Sequence, residues 1–389
     1  PNGIDSLVER VEVSCGGVQL SSGANYYNVL AQAKRALMDK QCDVVLGHPE
    51  VVRAVSYVDG LAKTTAESYA GTDSVFCIDS WEGFLGSAEP KIMDSSLVPD
   101  LIVSIYLADA NVIANCAGTA LDGSGAVDIT DTGTATASYA LSNIHATIEC
   151  IGLADAVYDN MIASIIASKG FLEVPFKQYY SFQDVHSGQM RFSVATQSLD
   201  RIWAVQRDTG NGLSVGARII DGYKISGGFT SATAGAATAQ DQGVPSFDVG
   251  GVLDYNKEKY TTAAFNFPEA AATTNNTLTY QFQLNGAYVP QFRASFEEMS
   301  QISRNSILGK SQYKHSLATM KSNYAVQCLR LNLPDSEFSR MISGLNTRSV
   351  SLNGYYNITG LNATPTVNLF CECTSTLMIG AGRQLSVEQ

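Results

Sequence analysis

The chain has 389 residues, of which 45% are apolar and only 16% charged, and a formal net charge of -12. That length suggests about two or three domains, and the shortage of charge beside plentiful Gly, Thr, Ser, Ala and Tyr is the balance produced by long β-strands joined by small-residue loops. The acidic excess, with no cluster of Lys and Arg, opposes tight binding to a phosphate backbone, and no run reaches the roughly 18 to 20 apolar residues that span a bilayer.

In chain order, Leu7–Leu20 reads as a strand pair turned at Gly16-Gly17, and the first half is expected to lack opening strands ahead of it. Asn25 is placed to cap a helix with Val29, Leu30, Ala33 and Leu37 on one side. Residues 41–89 lack a clear period, but Tyr57, Phe76, Trp81 and Phe84 argue for a loop region packed on the body. Leu101–Leu107 alternates with apolar residues on both faces, which predicts a strand buried on both. Residues 117–137 are small and polar enough to be a surface excursion. In 138–153, Ile144, Ala146, Ile148 and Cys150 fall on one side of a predicted strand.

A connector helix is predicted over 155–169, with Asp155 as N-cap, apolar residues at Val157, Tyr158, Met161, Ile162, Ile165 and Ile166, and Lys169-Gly170 as its stop. Strands follow over 171–182 and 189–208, the first near a sheet edge because of Pro175. Residues 208–277 are too poor in large apolar residues for a core and read as surface loops. Leu278, Tyr280, Phe282 and Leu284 then alternate cleanly up to an Asn285-Gly286 turn. Ser295 and Glu298 form a capping box for a helix expected to stop at Gly309, and three strand stretches close the chain, with a second Asn-Gly turn at Asn353-Gly354.

The two halves repeat one order: strand pair, capped helix, intervening stretch, apolar strand (LIVSIYL or YAVQCLRL), closing strand. Two tandem sandwiches with Greek-key or jelly-roll connections fit this, residues 1–170 forming the first, N-terminally incomplete, and 171–389 the second. The expected class is all-β, with short connecting helices and long surface loops.

Little in the chain looks catalytic. The four histidines, His48, His145, His186 and His315, have no Cys or His at a ligating interval. Gly210, Gly212 and Gly216 miss the dinucleotide spacing. Asp122, Asp128 and Asp131 match no calcium loop and read as solvated acids. The eight cysteines, Cys15, Cys42, Cys77, Cys116, Cys150, Cys328, Cys371 and Cys373, are expected to be reduced and mostly buried; alternation sets Cys371 and Cys373 on one face with Val367, Leu369, Leu377 and Ile379, a core face rather than a metal site. No catalytic, cofactor or metal residue is assigned.

Four stretches, VERVEVSCGGVQLSSGANYYNVL (8–30), SLDRIWAVQRD (198–208), YQFQLNGAYVPQF (280–292) and STLMIGAGRQLSV (375–387), in that order, resemble the double jelly-roll major capsid proteins of polinton-like viruses, virophages and nucleocytoplasmic large DNA viruses. The resemblance implies two jelly rolls per subunit, a homotrimer forming a pseudo-hexagonal capsomer, and an icosahedral shell around double-stranded DNA. It also implies neighbouring capsomers, penton and minor capsid proteins as partners, and no cofactor. Genome contact would fall to other proteins or to an internal membrane, with no sequence-specific nucleic-acid binding by this chain. Two other classes stay open: a secreted β-sandwich adhesin or carbohydrate-binding module, and a β-sandwich enzyme.

Overall fold

The computed structural model describes residues 4–21, 26–37, 77–78, 81–90, 93–94, 97–108, 120–121, 127–128, 140–152, 156–207, 269, 277–306, 321, 325–333, 343–348, 352–362 and 364–389. The expectations for 41–76, for most of 117–137, for 208–268, for Asn25, Asp155 and Gly309, and for His48, His315, Cys42 and Cys116 fall outside these residues.

Strands dominate. In the first half β1 (Val8–Cys15) and β2 (Val18–Ser21) form the predicted hairpin, with Gly16 and Gly17 both at positive φ. Helix α1 (Tyr27–Leu37) follows, and Val29, Leu30, Ala33 and Leu37 are all buried. A short helix α2 (Phe84–Ser87), the strand β3 (Leu101–Leu107) and a two-residue pair, β4 (Ala120–Leu121) with β5 (Val127–Asp128), complete this half up to α3 (Ala156–Lys169). The helix α3 ends as predicted: Gly170 takes φ +86° and its N–H donates to the Ile166 carbonyl at 2.8 Å.

The described strands of the second half form a two-sheet sandwich. Its strands are β6 (Phe171–Val185), β7 (Gln189–Phe192), β8 (Leu199–Arg207), β9 (Thr279–Leu284), β10 (Ala287–Ala294), β11 (Val326–Arg330), β12 (Gly354–Thr359) and β13 (Thr366–Gly380). One sheet runs β11-β8-β13-β6 and the other β10-β9-β12-β7. The chain therefore crosses between sheets at nearly every connection, the winding of a jelly roll. A final strand, β14 (Leu385–Glu388), pairs with β13 beyond the point where β8 ends. Helix α4 (Phe296–Ser306) opens on the predicted box: the Ser295 N–H donates to Glu298 Oε2 at 2.8 Å and the Glu298 N–H to Ser295 Oγ at 3.4 Å.

The predicted alternation in β9 and β13 is realised: Tyr280, Phe282, Val367, Leu369, Cys371, Cys373 and Leu377 are fully buried. The inner face of β6–β13 packs along one part against Tyr280, Phe282 and Tyr356, and along the other, through Val174, Phe176, Leu377 and Ile379, against Val11, Val13 and Cys15 of β1. Two edges are covered by polar side chains. Ser303 and Ser306 of α4 accept the Cys328 and Arg330 N–H groups of β11 at 2.9 and 3.1 Å, and Ser87 accepts the Lys177 N–H of β6 at 2.7 Å.

Four expectations are corrected. The strand β3 is not buried on both faces: Leu101, Ile102, Val103, Ile105, Tyr106 and Leu107 are each 40–57% exposed, because among the described residues β3 pairs only with β1. Residues 140–152 form no strand and join no sheet among the described residues, with Ile144 and Ile148 more than three-quarters exposed. Asn353-Gly354 is not a turn; Gly354 starts β12 and is small because the Phe192 ring lies 2.3 Å from where a Cβ would stand. Finally, β3 is not the counterpart of β11. It returns to pair with the first strand of its hairpin, as β12 does with β9, whereas β11 pairs with β8 in the other sheet.

Replacing Gly354 by Ala is expected to destabilise the protein by about 1–3 kcal/mol, because the Phe192 ring is itself buried and packed against Phe182. A urea titration reads the loss, and Phe192→Leu placed in the same chain is expected to recover part of it.

Candidate functional site

Charge inside this sandwich is concentrated on the outer face of the β11-β8-β13-β6 sheet. Register places Arg201 opposite Glu372 and Glu372 opposite Tyr179, with Lys177 opposite Thr374 one step along. Glu372 is 2% exposed; its two carboxylate oxygens accept from Arg201 Nη1 at 3.1 Å and Trp203 Nε1 at 2.9 Å. Burial alone pushes its carboxyl up, but Arg201, Lys34 and Lys177 outweigh burial and hold it down to about 2. Beside it, Lys177 Nζ donates to Asp200 Oδ2 at 2.6 Å and to Thr374 Oγ1 at 2.7 Å, and Ser198 Oγ donates to Asp200 Oδ1 at 2.7 Å. Ser198 in turn accepts the Gly344 N–H at 2.9 Å.

Helix α1 closes this face from the first half. Lys34 pairs with Glu82, donates to Tyr179 Oη at 2.9 Å and sits 5.8 Å from the Trp203 ring centre. Each of these charges is matched and shielded, which is how a β-sheet tolerates ions at a seam between layers. Among the described residues these groups bind one another, so the cluster fastens α1 and β6 to the sheet.

The histidines have structural surroundings too. His186 is buried; its Nδ1 accepts the Gly188 N–H at 2.8 Å, so its Nε2 carries the proton and donates to the Tyr356 carbonyl at 2.9 Å. Burial lowers its pKa and favours this neutral form. His145 is exposed, and its Nδ1 lies 2.9 Å from the Asn143 carbonyl oxygen. Among the described cysteines, all free, Cys15, Cys328, Cys371 and Cys373 are buried in surroundings that push their thiols up, and Cys77 and Cys150 are exposed. Among the described residues, no three His, Cys, Asp or Glu side chains gather as metal ligands.

Sequence reading missed the Lys177, Asp200, Arg201 and Glu372 cluster. The signal was present in LDRIW and CEC, where charges interrupt otherwise apolar strands.

No family model and no curated protein sequence matches the chain. Solved structures do. The quasi-atomic model of the PBCV-1 virus capsid superposes with a TM-score of 0.50 at 10% identity, covering 99% of this chain and 84% of that one. The chain has the double jelly-roll fold of viral major capsid proteins. Among the described residues β6–β13 wind as a jelly roll, and β1–β3 form a separate three-stranded sheet, β2-β1-β3. The Faustovirus major capsid protein (TM-score 0.46, 11% identity, 96% of this chain and 72% of that one) and the Sputnik virophage structure (0.41, 12%, 99% and 75%) also match.

Two outcomes are expected. Glu372→Gln leaves Arg201 buried without its counter-charge and costs about 3–5 kcal/mol by denaturant titration. Because the folded pKa of Glu372 lies below its ordinary 4.5, its contribution is present above that value and is lost as pH falls toward about 2; the variant is expected to lose less stability than the parent across that window. Thiol labelling of the native protein is expected to modify Cys77 and Cys150 and to spare Cys15, Cys328, Cys371 and Cys373 until urea is added.

Proposed function

We propose that this chain is a viral major capsid protein that trimerises into pseudo-hexagonal capsomers and tiles the icosahedral shell of a double-stranded DNA virus. The observation that carries the reading is the jelly-roll winding of β6–β13 within a double jelly-roll fold shared over 99% of the chain with a viral capsid structure. In this reading residues 1–170 belong to the first jelly roll and 171–389 to the second, and α3 joins them. Three copies of such a subunit give six similar lobes around one axis, the outline that hexagonal tiling needs.

The surface chemistry agrees. Shell subunits hold one another through broad faces, commonly burying more than about 2,000 Å² with apolar centres. This chain exposes Tyr288 and Phe292 on β10, Met161 on α3, and Leu333, Val185 and Leu345 elsewhere on the surface. Its ionisable clusters are spent internally on holding layers together, which suits a scaffold and not a catalyst. The acidic balance leaves the genome to basic proteins or an internal membrane.

Size-exclusion chromatography with light scattering is expected to give a stable trimer near three times the 41.5 kDa chain mass. A monomer that binds immobilised glycans overturns the capsid reading and favours a carbohydrate-binding module.

A further inference from the structure

The seam between α1 and the β11-β8-β13-β6 sheet matches charges pair by pair, with Lys34 against Glu82, Lys177 against Asp200 and Arg201 against Glu372. Further along β8, alternation brings its last residue, Arg207, to the face that carries Arg201 and Trp203. Its surroundings differ. Arg207 is 1% exposed and Asn368 beside it is 0% exposed. The Arg207 Nε donates to Asn368 Oδ1 at 2.9 Å, and the Tyr26 ring centre lies 5.5 Å from the guanidinium carbon. Among the described residues no Asp or Glu pairs with Arg207.

Two donors are left over at this contact. Arg207 Nη1 and Asn368 Nδ2 are both enclosed, and neither meets an acceptor among the described residues. Asn368 cannot help by turning its amide over, because its one oxygen already accepts from Arg207 Nε. The start of α1 adds to the same sign. Tyr26 directly precedes the helix, its carbonyl accepts the Leu30 N–H at 3.1 Å, and the first turn carries no acidic residue, so the positive end of the helix dipole stands beside Arg207. Burial lowers the Arg207 pKa to about 10, against an opposing pull from Tyr26. A guanidinium, a helix N-terminus and an orphaned amide thus meet at one enclosed point, and a buried cation without a counter-charge is among the most destabilising arrangements in a fold.

We propose that Arg207 and Asn368, beneath the start of α1, bind a small inorganic anion, and that this anion is chloride. Chemistry selects the class: both unmet groups are N–H donors, so the ligand only accepts, and the guanidinium calls for negative charge. Enclosure selects the size. Side chains 1% and 0% exposed leave no path for a peptide carboxylate, whereas a monoatomic ion needs the least room. Entry takes a local opening at Tyr26, the half-buried residue that covers the guanidinium. Chloride completes the row of matched charges and fastens the start of α1, from the first half, to β8 and β13 of the second. The inference concerns the seam within one chain and is independent of the capsid reading.

The test is a urea titration of the full chain at constant ionic strength, with sodium chloride replacing sodium methanesulfonate. One chloride bound only by the folded protein raises the folded-to-unfolded ratio about tenfold when its concentration reaches about ten times the dissociation constant. Chloride-35 NMR of the native protein gives the direct reading, an excess line width that bromide competes away. Arg207→Met keeps the bulk of the side chain without its charge and is expected to abolish both signals. Should that variant fail to fold, Asn368→Asp sets a carboxylate of the chain's own against Arg207 Nε and is likewise expected to make stability independent of chloride. The proposal is overturned if chloride and methanesulfonate give the parent the same midpoint, since the two donors then meet water or a carboxylate of the same chain. It is equally overturned if the chloride effect survives in Arg207→Met or in Asn368→Asp, which makes it the work of an adventitious ion only.

Discussion

The fold depends on a two-stranded ribbon, β6 paired with β13 in unbroken antiparallel register from Phe171 opposite Gly380 to Val185 opposite Thr366. Fifteen consecutive pairs are long for a globular strand. They hold because β13 is enclosed on both edges, by β6 along its whole length and by β8 and then β14 on the other side. One part of the ribbon's inner face covers the jelly-roll interior of the second half and the other part covers the hairpin of the first. Neither apolar cluster closes without it.

A strand so enclosed admits a charge only when counter-charges stand within reach. That rule explains why Glu372, between Cys371 and Cys373, is met by Arg201 and Trp203 from β8 and by the field of Lys34 from α1. The same cluster joins the halves, since α1 comes from the first and the sheet it lies on from the second.

Much of this was legible in the residues because local signals agreed with burial. The glycine-turned hairpin, the capping box at Ser295, the Gly170 stop and the alternation of β9 and β13 each follow from a short-range rule that the tertiary structure respects. The failures share one cause, which is that partner strands are distant in sequence. LIVSIYL and YAVQCLRL look alike in hydrophobicity, and only their pairing, one to β1 and the other to β8, separates them. Asn353-Gly354 carries the dipeptide of a hairpin, but its glycine answers to a phenylalanine ring more than a hundred and sixty residues away. LDRIW and CEC showed the charges of the buried cluster but not their partners, since Lys177, Asp200, Arg201 and Glu372 come from three distant strands.

The continuity of the ribbon also sets how the subunit bears load. Traction along its axis, applied at opposite ends of β6 and β13, strains all fifteen pairs together in shear, whereas a hairpin pulled open at one end yields its hydrogen bonds singly. A chain braced this way resists stretching in one in-plane direction far more than in the other, so its stiffness is anisotropic.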